Sequence, residues 1–239
     1  MRNLKAVASR AFQLGTLVLA AGTLAACGGG GDSGSSTTPA NASATINGTA
    51  AIGAPMANAS ITIVCKSGSG SGTASANGAF SVTFVFAGPC AITGTNGTAT
   101  LHSFATGAGT FNVTPLTELL LIYLAAQLGT DLNGLLNGLA TNPTYQAALT
   151  DKTTVSNAVN GVIQVLKTKY GITLSTSSFL TTPFTPGQAG QDADLDSLHT
   201  AGAFTSNGQP STSLTSDVTA AGAAARQPTG GTGGSGAPV

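Results

Sequence analysis

The residues whose type and spacing first suggest chemistry are three cysteines (Cys27, Cys65, Cys90), two histidines (His102, His199) and one tight group of acids (Asp192, Asp194, Asp196). A Ser-His-Asp site needs three groups converging. Ser103, His102 and an aspartate can be assembled on paper, yet no nucleophile-elbow motif accompanies them. His102 alternates with Leu101 and Ser103 on a predicted strand, which points it to solvent or a sheet edge. A calcium loop wants Gly after its third acid and Glu at its twelfth position. Ser197 and Ala203 stand there. The acids instead suit the solvated first turn of a helix, near the positive end of its dipole. Glycine-rich stretches lack the Lys-Ser/Thr pair of a phosphate loop. No catalytic residue, metal ligand or cofactor is assigned.

Cys27 differs because of what precedes it. Arg2, Lys5 and Arg10 form a positive start, and Ala11 to Leu24 is apolar with only Gln13 strongly polar. That run is shorter than the roughly 20 residues a spanning helix needs. It ends in Leu24-Ala25-Ala26-Cys27. The stretch resembles the lipobox of bacterial lipoproteins. The resemblance implies that residues 1–26 are a signal peptide and that the Cys27 thiol carries diacylglycerol. Residues 27–43, rich in Gly, Ser and Thr, read as a flexible tether. By the same resemblance, Gly28 rather than Asp after the lipidated cysteine favours the outer membrane. The expected location is the bacterial cell envelope, with the membrane engaged through the lipid.

Cys65 and Cys90 remain. Outside the cytoplasm an even pair suggests a disulfide, and two buried free thiols are the other reading. A zinc site is less favoured, since no second Cys or His lies at ligand spacing.

Charged residues make up only 7% of the chain, against roughly 25% in ordinary soluble proteins. Without Arg2, Lys5 and Arg10, five basic residues face eight acidic ones. A nucleic-acid partner wants a basic face, so that class is set aside. The chain has no Trp and three Tyr, which weakens sugar stacking as well.

The elements that would position these residues come in two blocks. In 44–113, Ile61, Ile63 and Cys65 alternate on one strand, and Phe80, Val82, Phe84 and Phe86 on another. Further strands are expected at 91–95 and 98–106. Asn77-Gly78 and Asn96-Gly97 mark turns, and Lys66 to Gly72 reads as a Gly-Ser loop. Short strands with turns at this spacing predict an antiparallel β-sandwich. Ile46-Asn47-Gly48-Thr49-Ala50, Gly53-Ala54-Pro55-Met56, Ala59-Ser60-Ile61-Thr62-Ile63 and Ala76-Asn77-Gly78-Ala79-Phe80-Ser81-Val82 resemble carboxypeptidase-regulatory-like domains. That resemblance implies a transthyretin-like sandwich, Ig-like in its two-sheet build, and brings no catalytic residues. Ala76 stands where the family usually has Asp.

The second block, 114–204, predicts a small α-helical segment. Thr114-Pro115 is a helix start, with Thr as cap, and Glu118 in the first turn suits the dipole. Leu116, Leu119, Leu120, Tyr123, Leu124 and Leu128 form an apolar face. Leu132, Leu135, Leu136 and Leu139 form a second. Val155, Val159, Val162, Ile163, Leu166 and Tyr170 form a third, closed by Gly171. Phe179, Leu180 and Phe184 are expected to plug the core, and Leu195 and Leu198 to face inward from a short helix. A sandwich followed by helices resembles a recurring proteobacterial lipoprotein arrangement, with Asn112-Val113-Thr114-Pro115-Leu116-Thr117 joining the parts. Residues 205–239, dominated by Gly, Ser, Thr, Ala and Pro, read as a disordered tail. The functional expectation is a non-enzymatic envelope interaction or structural module. Its alternatives are a module binding a glycan or an envelope protein through sandwich loops such as 66–72, and a hydrolase with an unrecognised site.

Overall fold

The computed structural model describes residues 42–97 and 99–226. The expected signal peptide, Cys27, nearly all of the tether and residues 227–239 lie outside them. The described residues belong to one compact unit, Ala40–Val239, and one apolar core runs through them from Ile46 to Val218.

Two sheets come first. β1 (Ser43–Thr49) is the centre of a mixed three-stranded sheet. It runs antiparallel to β4 (Ala79–Val85) and parallel to β7 (Gly109–Thr110). The other sheet is antiparallel, in the order β3 (Ser69–Thr73), β2 (Ser60–Ser67), β5 (Ala87–Asn96) and β6 (Ala99–Ala105). The period-2 reading holds: Ile61, Ile63 and Cys65 are buried on β2, and Phe80 and Val82 on β4. Cys65 and Cys90 face each other across β2 and β5 and are joined by a disulfide. The cysteines are 25 positions apart, and closing such a loop contributes about 3–4 kcal/mol in a chain-entropy account.

One loop is in fact a strand. Within the expected 66–72 loop, Ser69–Thr73 pairs with β2 from Ser60 to Val64. Its glycines serve close approach rather than turning. A Cβ on Gly70 would lie 2.7 Å from the Phe84 ring, and one on Gly72 would lie 2.9 Å from Val82. Serine and threonine alternate with them on the exposed side. Low apolar content hid the strand.

Helices follow. Thr114 caps α1 (Pro115–Gln127), which buries every residue except Ile122 and Gln127. It is surrounded by β6, α2 (Leu132–Gly138), α4 (Lys152–Tyr170) and α6 (Thr212–Ala224). Hence its apolar character all round: it is the axis of the helical part. α3 (Pro143–Thr150) packs on α4, whose last turn ends at Gly171 in a left-handed conformation. Phe179 and Leu180 are buried, as expected, and so are Leu195 and Leu198 of α5 (Gln191–Thr200). Among the described residues no single helix is long and apolar enough to cross a membrane.

The expectation of disorder from residue 205 is corrected. Residues 205–226 are ordered and include α6, with Leu214, Val218 and Gly222 buried. Leu214 and Val218 are set among Ser, Thr, Ala and Gly, which a composition reading counts as linker. Smallness is what docks the helix, since a Cβ on Gly222 would overlap the Tyr123 carbonyl and crowd Ala126 of α1. Arg226 Nη2 donates to Ala126 O at 3.0 Å, and Lys169 pairs with Asp217. Gly222→Val should therefore lower stability by about 1–3 kcal/mol, as overpacking of a close contact does. Urea unfolding of residues 40–239 measures it, and an unchanged midpoint would mean that α6 does not pack through Gly222.

Candidate functional site

The ionisable pair that the fold buries lies where sheet meets helix. β6 is the last strand of its sheet, so the N–H and C=O of His102 point away from β5 and toward α1. Glu118, 3% exposed, receives the His102 N–H at 2.6 Å and lies 3.0 Å from His102 Nδ1. Thr117 Oγ1 donates to His102 O at 2.9 Å and accepts from the Thr114 N–H. Thr114 Oγ1 in turn accepts from Thr117 N–H, completing a capping box. The first turn of α1 thus takes the place of a missing neighbour strand.

A carboxylate holding Nδ1 is the geometry that presents Nε2 as a base, but a base needs a proton to take. His102 Nε2 has no hydrogen-bond partner among the described residues. Ser103 follows His102 on a strand, so its side chain leaves on the opposite face. There it is fully buried. The Ser103–His102 combination drawn from sequence is not assembled.

The three acids do not converge either. Asp194 accepts from the N–H and Oγ of Ser175, at 2.8 and 2.6 Å. Asp192 is not on a solvated face but 2% exposed, accepting from Gly187 N–H at 2.6 Å with its other oxygen unpartnered. Burial, and secondarily the nearby Asp196 charge, push its carboxyl above the usual aspartate range. Among the described residues no group of three or more His, Cys, Asp or Glu is placed to hold a metal.

Asn112, which sequence reading treated only as part of a joining word, is a buried hub. Its Oδ1 accepts from Thr49 N–H at 3.1 Å, while Nδ2 donates to Phe179 O at 3.0 Å and Thr182 O at 2.8 Å. The signal available was a polar residue directly ahead of a Thr-Pro helix start.

Beyond it opens a cavity of about 520 Å³. Its apolar lining comes from Phe104, Phe111, Leu149, Val155, Val159 and Leu180. Lys152, Ser156, Asn160, Ser178 and Thr181 contribute polar groups. Strand, junction, α3, α4 and the 175–184 segment all contribute, so no local pattern announces it. A smaller cavity of about 330 Å³ lies among α1, α2 and α6 and includes Glu118 in its wall.

No protein-family profile, curated protein or solved structure matches this chain.

Asp192 yields a pH prediction. A carboxyl raised in the folded state keeps its proton to higher pH than in the unfolded chain. Between those two values the folded chain binds more protons, so stability falls as pH rises above the ordinary aspartate range. Asp192→Asn removes this loss and keeps an oxygen to accept from Gly187. The variant should gain on the wild type between about pH 4 and pH 7, as urea unfolding at both values reads. A wild type that gains on the variant over that range would contradict the assignment.

Proposed function

We propose that this chain is an exported, lipid-anchored protein of the bacterial envelope whose folded part is a non-enzymatic binding module. The observation that carries this is the leader: a basic start, an apolar run, then Leu24-Ala25-Ala26-Cys27 and a glycine-rich tether. The Cys65–Cys90 disulfide supports it, since such bonds persist where thiols are not kept reduced. Gly28 supports an outer-membrane destination.

The finer fold reading is a carboxypeptidase-regulatory-like, transthyretin-like sandwich extended by helices. Its support is the set of quoted turn and strand motifs and the sharing of one core by both sheets. Binding is favoured over hydrolysis because, among the described residues, no hydroxyl or thiol is hydrogen-bonded to His102 Nε2. A glycan or protein partner at the 66–72 segment is less favoured, since most of that segment is strand. The cavity beside α4 is the better-formed candidate.

The test is Cys27→Ser in the full chain, expressed in a bacterial host with a clickable fatty-acid analogue. Wild type should be labelled and should fractionate with membranes, whereas the variant should lose the label and remain as precursor. A variant labelled as strongly as wild type would overturn the anchor.

A further inference from the structure

We propose that the 520 Å³ cavity is a binding site for a single-chain fatty acid, with the acyl chain on its apolar lining and the carboxylate at Lys152. The inference rests on reading the folded part as a binding module and names its ligand class. Ligand pockets run from about 300 to 1,000 Å³, so this one takes one slim molecule rather than a two-chain lipid.

The lining decides the chemistry. Phe104, Phe111, Leu149, Val159 and Leu180 are each at least nine-tenths buried and offer carbon, not hydrogen-bonding groups. A sugar would bury hydroxyls against them without partners, which is unfavourable, whereas an acyl chain gains with every methylene. Polar groups stand at exposed positions: Lys152, Ser156 and Asn160 lie on α4, and Ser178 and Thr181 on the facing segment. An apolar body with one polar end fits that division.

Charge selects the head group. Lys152 is the one charged residue among those lining the cavity. The ion pairs among the described residues are His102–Glu118 and Lys169–Asp217, so Lys152 is left without a carboxylate. The side chains of Ser156 and Asn160 make no hydrogen bond within the described chain. Asp151 beside them is turned into α4, accepting Thr154 N–H at 2.6 Å, and occupies the helix terminus itself. One ammonium with neutral donors next to it matches one monovalent carboxylate.

Calorimetric titration of residues 40–239 with dodecanoate, tetradecanoate and hexadecanoate, and with their methyl esters, tests this. One-site binding is expected, tightening about fourfold per added methylene until the cavity is full. Lys152→Gln should weaken the acids about threefold to fivefold and leave the esters unchanged. Ser156→Trp, or Asn160→Trp should the first fail to fold, places an indole from an exposed helical position into the cavity and should abolish binding. No saturable binding of any acid, or binding that survives the indole in a folded chain, overturns the site. Equal affinity for acids and esters overturns the carboxylate assignment. Membrane fractionation of Cys27→Ser reads the anchor separately, so either reading can fail without the other.

Discussion

The amide of His102 lies on the open edge of a sheet, in a place that water does not reach freely. An unpaired backbone donor there carries a penalty of about 1–3 kcal/mol, and an open edge invites pairing with another chain. The fold answers with side chains instead of a strand. Glu118 accepts the N–H and Thr117 donates to the C=O of the same residue. Because both come from the first turn of α1, satisfying the edge also fixes where that helix starts and how it lies.

Much of the architecture follows from that placement. Thr114 and Thr117 cap the helix by satisfying each other's amides. Two residues earlier, Asn112 ties Thr49 of β1 to the carbonyls of Phe179 and Thr182. The short stretch from Asn112 to Glu118 therefore joins both sheets, the central helix and the 179–182 segment through buried hydrogen bonds. Once α1 is held, its apolar surface organises α2, α4 and α6 around it, and the cavity is the space left beside α4. The carboxylate of Glu118 is thus engaged in holding the fold.

Sequence made the regular features legible. Alternation marked β2 and β4, Asn-Gly pairs marked turns, Thr-Pro marked the start of α1, and leucine or valine stripes marked α1 and α4. The cysteine pair followed from redox reasoning. What escaped depends on tertiary contacts. β3 packs through Gly70 and Gly72, and α6 through Gly222 beside only two large apolar residues, Leu214 and Val218, so close backbone approach does work that no broad apolar stripe announces. Glu118 and Asp192 are acids whose ordinary place is a solvated first turn, and only tertiary contacts bury them. The cavity draws on separate segments, and periodicity has no access to such convergence.

The central claim is that α1 seals the edge of β6 through Glu118. Native-state hydrogen exchange of the His102 amide tests it directly, in wild type, Glu118→Ala and Glu118→Gln. The account predicts slow exchange in wild type, a loss of protection worth about 1–3 kcal/mol in the alanine variant, and recovery in the glutamine variant, whose side-chain oxygen still accepts. A His102 amide that exchanges freely in wild type, or is equally protected in all three, would contradict it.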